Sequence, residues 1–295
     1  MSVQDRGIPI IDCMVNASPG DIGIDISHIP KDAFRDEASL KVWPSGSVVE
    51  YLFKGAASDR MNMVGDPAAV VEMLDSYGIQ KAQIIVMPDH ADRKIEQLSQ
   101  FGDRWFFSLR LNPHDGMRAV RQLDEAKRKH PNIKSVAISP HALYPTIPPN
   151  SKEYYPIFAK CIELGLPVLI NAGIPGPRVP GWTQDPLLLD EVMWFFPELV
   201  VVWKHGGEPW VDMCIKLMLK WPNLYYSTSG FAPKYYPKAI IDYANTRGSD
   251  KIIYAGYWPT LSFEDIFGQL DDVALRPAVW PKFLHDNAAK VFRIP

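Results

Sequence analysis

Leu164-Gly165-Leu166-Pro167-Val168-Leu169-Ile170-Asn171 ends one amphipathic stretch, Glu153–Leu164, and opens a short apolar run. Gly165 predicts the stop of a helix, because glycine enters left-handed backbone at no steric cost. Pro167–Asn171 is then hydrophobic almost without a break. A strand with one wet face alternates apolar and polar residues; a parallel strand buried on both faces does not. The segment therefore predicts a helix followed by a parallel strand.

The same unit recurs along the chain. Strand-like runs are Ile8–Asp12, Ala82–Met87, Trp105–Leu111, Ser135–Ser139, Leu199–His205, Leu224–Ser227 and Lys251–Ala255. Helix-like stretches between and after them are Pro67–Tyr77, Gly116–His130, Pro186–Trp194, Trp210–Trp221, Pro237–Thr246, Ser262–Leu270 and Val279–Val291. Asp66-Pro67 supplies an N-cap with a first-turn proline, and Gly78 a stop. Eight alternations in 295 residues match a (β/α)8 TIM barrel, an α/β fold of roughly 250 residues plus insertions. A doubly wound open sheet is the alternative. The count of eight and the lack of Gly-x-Gly-x-x-Gly after the first strand weigh against it. The expectation is one domain over residues 1–295, with residues 17–59, an aperiodic insertion holding Trp43, Tyr51 and Phe53, folded as a lid over the C-terminal mouth.

Composition excludes several classes. Lys and Arg total 31 against 34 Asp and Glu, a formal net charge of −3, so nothing favours nucleic acid or an anionic membrane as partner. With 47% hydrophobic residues the chain does not read as disordered. Apolar runs such as Leu166–Ile170 fall far short of the ~20 residues that span a bilayer. Met1–Arg6 shows no signal-peptide core. Cys13, Cys161 and Cys214 are scattered, forming neither a zinc knuckle nor a disulfide framework. A soluble cytoplasmic protein is expected.

Barrel chemistry sits where strands end. Four of the seven histidines, His90, His114, His141 and His205, fall there. Ile10-Ile11-Asp12, Met73–Ile79, Gly165–Ile170, Lys204-His205-Gly206-Gly207-Glu208-Pro209-Trp210, Pro222–Tyr225 and Asp286-Asn287-Ala288 come in an order and spacing that resemble the amidohydrolase-2 branch of the amidohydrolase superfamily. That branch contains aminocarboxymuconate-semialdehyde decarboxylase-like and resorcylate decarboxylase-like enzymes. The resemblance runs through most of the chain. It implies a barrel, hydrolase or decarboxylase chemistry, a small carboxylated substrate and, in most members, a divalent metal. The family's ligand pattern is His-x-His after the strand-one Asp, a His ending strand five, a His ending strand six and an Asp ending strand eight. Carried over, this chain has Met14, Asn16, Asn171, His205 and Tyr257, so only His205 is retained. A thioether and neutral carboxamides are poor ligands for zinc. No metal and no cofactor is therefore expected.

The residues then take these roles. His205, released from its strand by Gly206-Gly207, is the candidate acid/base group, with Tyr257 assisting as proton or hydrogen-bond donor. Asn16 and Asn171 are candidates to hold a developing oxyanion, and Asp12 is a further catalytic candidate. Arg178, in the stiff loop Gly173–Arg178, suits a substrate carboxylate. His141, Met14, Trp210 and Trp258 are candidate substrate contacts, with Trp182 near the same mouth. Asp89-His90 reads as a structural turn. Two functional readings stay open. One is a metal-independent hydrolase or carbon–carbon lyase acting on a carboxylated cyclic or aromatic molecule, as a homodimer or other homo-oligomer. The other is an inactive binding protein or partner subunit that kept the barrel. A lyase or cyclase for bulkier polyketide- or steroid-like molecules is a weaker third. Side chains converging on an open pocket favour an enzyme; side chains collapsed on one another favour a relic.

Overall fold

Eight strands run parallel, each hydrogen-bonded to the next in chain order: β1 Ile10–Asp12, β2 Ile79–Val86, β3 Trp105–Arg110, β4 Ile133–Ile138, β5 Val168–Asn171, β6 Val201–Lys204, β7 Leu224–Ser227 and β8 Ile252–Ile253. The structure is a computed structural model that describes residues 3–15, 31–43 and 66–295. The sheet closes on itself just past the two end strands. Cys13 N–H donates to Tyr254 O at 3.3 Å and Tyr257 N–H to Met14 O at 3.0 Å, and Val15 bridges Trp258 in parallel. The fold is the expected (β/α)8 barrel.

The helices are α1 Glu37–Val42, α2 Pro67–Ser76, α3 Ala91–Ser99, α4 Met117–Lys129, α5 Tyr155–Leu164, α6 Leu188–Phe195, α7 Val211–Lys220, α8 Lys238–Ala244, α9 Phe263–Leu270 and α10 Asn287–Phe292. The caps work as their residues dictate. Asp66 accepts from the N–H groups of Ala68 and Ala69, and Gly165, at φ 63°, ends α5 with its N–H donating to Ile162 O. A Cβ on Gly165 would meet only the movable Arg293 guanidinium, at 2.1 Å, so the left-handed backbone is what favours glycine here.

One helix went unread. The sequence reading left the link after β2 without a helix, yet α3 fills it, entered through a 3-10 turn over Pro88–His90. Its buried face is Ala91, Lys94, Ile95 and Leu98, and a lysine stem there hides the apolar stripe.

Strand alternation divides the buried residues into two layers. Ile10, Ile84, Phe107, Ile138, Ile170, Trp203, Tyr226 and Ile252 face the helices. Ile11, Cys13, Phe106, Ala137, Leu169, Val202, Tyr225, Ile253 and Ala255 fill the lumen. The C-terminal segment plugs its floor with Ala288, Val291, Phe292 and Ile294, the Phe292 ring 5.4 Å from that of Phe106. One more step along each strand, at the C-terminal end, the lumen face becomes polar: Arg110, Ser139, Asn171, Lys204 and Ser227. Within the insertion, residues 31–43 rest on the loops after β4 and β5, with Phe34, Leu40 and Trp43 against Ala142 and Val179. The rest of the expected lid lies outside the described residues. Among the described residues, no helix is long and apolar enough to cross a membrane.

Candidate active site

β6 ends at Lys204, and the next three residues are all left-handed: His205 at φ 64°, Gly206 at 84° and Gly207 at 72°. That run turns the chain off the strand and swings the imidazole over the mouth. One glycine makes room for it and another for the neighbouring Phe231 ring. A Cβ on Gly206 would meet the Phe231 ring at 2.4 Å, and one on Gly230 would lie 3.0 Å from His205 Nδ1. Tyr257, just past β8, is also left-handed at φ 66°. Its ring meets that of His205 edge to face, centroids 5.2 Å apart. Non-glycine residues in this region cost roughly 1–3 kcal/mol each and cluster at working sites.

Hydrogen bonds orient both imidazoles. His205 N–H donates to Ser229 Oγ at 3.2 Å, and the same oxygen lies 3.1 Å from His205 Nδ1. The hydroxyl keeps a second lone pair and its own proton, so it pairs with Nδ1 in either tautomer of His205. At His141 the bonds are decisive. Gln184 Nε2 donates to Gly173 O at 2.6 Å, which turns Gln184 Oε1 toward His141 Nδ1 at 2.7 Å. His141 Nδ1–H therefore donates, and its Nε2 carries the lone pair. The cavity therefore meets a basic nitrogen on His141, with the His205 ring held beside it by Ser229.

That cavity, about 600 Å³, opens at the C-terminal mouth; its walls include His141, Asn171, His205, Phe231, Tyr235 and Tyr257. A second of about 220 Å³ adjoins it, with Arg110, Ser139, Asp89 and Asp115 on its walls. Ser139 Oγ donates to Asn171 Oδ1 at 3.3 Å, joining one residue from each lining. Burial first, then the charges of Lys204 and His141, hold the His205 imidazole well below its usual pKa of 6.5. Burial pushes the Tyr257 phenol up to about 12, with Arg110 pulling the other way. Tyr257 is thus a hydrogen-bond donor at neutral pH.

Several expected residues lie elsewhere. Asp12 sits on the helix-facing side of β1, while Cys13 is the one in the lumen. Its Oδ1 accepts from Met14 N–H and Gly256 N–H, both at 2.9 Å, and its Oδ2 has no hydrogen-bond partner among the described residues. Asp12 ties β1 to the end of β8 and does not line the cavity. Met14 packs on the lumen cluster. Arg178 is turned away from the cavity and pairs with Asp36, the N-cap of α1, at 2.7 Å. Trp258 is buried outside the barrel, stacked on Phe263 with centroids 5.9 Å apart. Trp210 leads into α7, and Trp182 is exposed on the surface; neither lines the cavity. The aromatic wall is Phe231, Tyr235 and Tyr257 instead. Of the four strand-end histidines only His141 and His205 reach this cavity; exposed His114 lies 2.7 Å from Pro145 O through Nε2. Asn16 lies outside the described residues.

Two lumen-facing residues that the sequence reading passed over end their strands near this site, Arg110 on the wall of the second cavity and Lys204 on the wall of neither. Lys204 ends β6 on the lumen face, 3% exposed, in register with Asn171. Arg110 ends β3 on the same face. The signal was present in the strands: Phe106, Ser108 and Arg110 alternate with Trp105, Phe107 and Leu109, so the polar residues of that strand point inward. At the family's metal position this chain thus sets a thioether, a carboxamide, a phenol held protonated and one imidazole, beside an ammonium group. Among the described residues, no three His, Cys, Asp or Glu side chains are grouped to hold a metal. The residues present do not fit a divalent cation.

A closed parallel barrel with titratable and polar side chains gathered at the C-terminal ends of its strands defines the class: a (β/α)8 TIM barrel. Within that class, the amidohydrolase family model (Amidohydro_2) matches residues 11–294, and the chain belongs to that family. Solved structures share the fold. An uncharacterized TIM-barrel protein from Bordetella bronchiseptica is 18% identical, with TM-score 0.75, over 97% of this chain and 99% of that one. The 5-carboxyvanillate decarboxylase of Novosphingobium aromaticivorans, solved with manganese and a nitrobenzoic acid, is 16% identical, with TM-score 0.70, over 98% of both chains. The 2,6-dihydroxybenzoate decarboxylase from Rhizobium is 13% identical, with TM-score 0.69, over 97% of this chain and 99% of that one. No curated protein sequence matches the chain.

Proposed function

We propose that this protein is a carboxy-lyase of the amidohydrolase family that releases CO2 from a small carboxylated aromatic or cyclic substrate without a metal ion. One observation carries the reading: His141, Asn171, His205 and Tyr257 line a single open cavity of about 600 Å³, within the range of small-molecule sites. A relic would have collapsed these side chains onto one another. That two structural neighbours are decarboxylases of aromatic acids adds support for the substrate class.

The chemistry follows from the groups present. Decarboxylation of a hydroxybenzoate needs a proton on the ring carbon that bears the carboxylate. The bond to the carboxylate then breaks, its electron pair returns to the ring, and CO2 leaves. His205 is the proton carrier. Its imidazole is neutral in the empty site, since burial, Lys204 and His141 all disfavour the charged ring. A bound carboxylate reverses that balance, so the imidazolium forms only with substrate in place. The Tyr257 hydroxyl and the Asn171 carboxamide donate hydrogen bonds to the substrate's ring oxygen, where negative charge gathers. The His141 Nε2 lone pair accepts a substrate hydroxyl proton.

The test is turnover. Hydroxybenzoates, including 2,6-dihydroxybenzoate and 5-carboxyvanillate, together with a cyclic ester, are incubated with protein in EDTA, and CO2 and ring products are measured. CO2 release that His205→Ala abolishes is the expected result. Ester opening without CO2 release would make the enzyme a hydrolase, and binding without turnover of any member would leave a binding protein.

A further inference from the structure

The cavity of about 600 Å³ is larger than the chemistry at its floor requires. His141, Asn171, His205 and Tyr257 serve one reacting ring, whereas cavities of roughly 300–1,000 Å³ hold molecules of drug size. The rest of the wall is mostly apolar. Ile174 and Pro175 come from the loop after β5, Phe231 and Tyr235 from the loop after β7, and Leu261 from the turn before α9. In barrel order the first two loops flank the end of β6, where His205 stands. Ile174 is 65% exposed and Tyr235 62%. Large apolar side chains scattered singly over a surface need no explanation, but exposed ones that border a cavity mark where an apolar part of a ligand rests.

Local structure holds these side chains in place. Ile174 N–H donates to Glu208 O at 2.8 Å and Gly173 N–H to Gln184 O at 3.1 Å, which pins the start of the loop to its neighbours. Gly181 backs the rim, since a Cβ there would lie 2.7 Å from Pro175 Cδ. Tyr235 ends a 3-10 turn with its N–H donating to Ala232 O at 2.8 Å, and the Lys234 ammonium lies 5.0 Å from the centre of its ring. Gly206, lacking a side chain, leaves the space that the Phe231 ring takes. Apolar groups fixed before binding lower the ordering cost that a ligand has to meet.

We propose that the outer half of the cavity, walled by Ile174, Pro175, Phe231, Tyr235 and Leu261, takes a second ring of the substrate, so that the protein works on aryl-substituted aromatic acids rather than on single-ring benzoates. The proposal rests on the reading of the protein as a carboxy-lyase for aromatic acids. The reacting ring lies among Asn171, His205 and Tyr257, and the aryl substituent covers the exposed faces of Ile174 and Tyr235. Burying one further ring in an apolar cleft tightens binding by roughly tenfold or more. Lys234, Asp265 and Gln269 supply the polar groups of the same outer wall, and a hydroxyl on the second ring finds donors and an acceptor among them.

The experiment compares benzoate with 3-phenylbenzoate and 4-phenylbenzoate by calorimetry on the intact protein. At least one phenyl acid should bind about tenfold or more tightly than benzoate, one molecule per chain, and benzoate should compete with it. Ile174→Ser and Tyr235→Ala together should bring that acid to within about threefold of benzoate and leave the affinity for benzoate itself unchanged. Trp182→Ala removes a similarly exposed apolar side chain that does not border the cavity, and it should change neither affinity. Circular dichroism checks each fold; all three positions are exposed, so their side chains carry little of the core. Equal binding of all three acids, no binding of any, a phenyl gain that survives the double variant or one that Trp182→Ala removes would overturn the second-ring cleft. Turnover of 2-hydroxybenzoate and 2-hydroxy-4-phenylbenzoate on the same samples separates the two ideas. A phenyl gain that depends on Ile174 and Tyr235 without CO2 release sinks the lyase reading alone, and CO2 release with no phenyl gain sinks the cleft alone.

Discussion

Lys204→Met should make the ligand-free protein more stable, and by an amount that depends on pH in a defined way. Burial first, and then the charge of Arg110, lower the Lys204 ammonium from 10.5 to about 7. The unfolded chain therefore binds this proton below about pH 10.5, and the folded one only below about 7. Above pH 10.5 the lysine costs the fold nothing. As pH falls from 10.5 to 7 the penalty grows, and below 7 it is constant. At 1.36 kcal/mol per unit the full shift corresponds to about 5 kcal/mol. Relaxation and water penetration reduce such penalties in real interiors, so roughly 2–4 kcal/mol is the working figure. Methionine keeps the length and apolar contacts of the lysine stem without the charge. Urea unfolding of both proteins at pH 6, 8 and 10 measures the difference directly. The variant should lead by roughly 2–4 kcal/mol at pH 6, or ~5 °C or more in Tm, and the lead should shrink toward zero near pH 10. A variant less stable than wild type at pH 6, or a lead that does not change with pH, would refute the assignment of an unpaired buried ammonium.

Three further outcomes follow from the geometry. His205→Ala should lower turnover by ~10²–10⁴-fold with a change in Tm of a few degrees at most; turnover within tenfold of wild type would make the ring structural. Tag-free protein should carry no stoichiometric zinc, manganese or iron, and EDTA should leave melting and turnover unchanged; one metal per chain, lost on His205→Ala, would refute the donor-set argument. Asp12, raised from 3.8 to about 7 by burial against the pull of its two backbone donors, ionises in the unfolded chain above about pH 4 but in the fold only above 7. Its share of stability thus falls as pH rises from 4 to 7, and Asp12→Asn should gain on wild type across that window by roughly 2–4 kcal/mol, read from thermal melts at pH 4 and 8.

Much of the barrel is written in local pattern. Each of the eight strands falls on an apolar run, since a strand covered on both faces leaves that mark whatever its neighbours do. The helix Ala91–Ser99 escaped because Lys94 stands in its buried stripe and charged residues fill the rest. The cavity was half legible. His141, Asn171, His205 and Tyr257 follow from counting back from strand ends. The tryptophans do not, because a loop residue's direction is set by what it packs on: Trp258 lies on Phe263, outside the barrel. Arg178 was read from its loop alone, and its partner Asp36 is 142 positions away. Lys204 was in view inside the His205 motif, and Val202 two residues earlier already pointed its strand face into the lumen.

The seam that closes the barrel joins residues 244 positions apart, Asp12 to Gly256, and the same seam holds Tyr257 through Met14. During synthesis this has a consequence for timing. A growing chain short of Tyr257 has one barrel edge with no neighbour, a carboxyl group waiting for a donor, and no wall opposite His205. Local βα units can form as they emerge, but the pocket is completed only when Tyr257 and the plug residues Ala288–Ile294 beneath it are in place. Removal of the stretch from Gly256 onward should therefore abolish ligand binding altogether rather than weaken it by degrees.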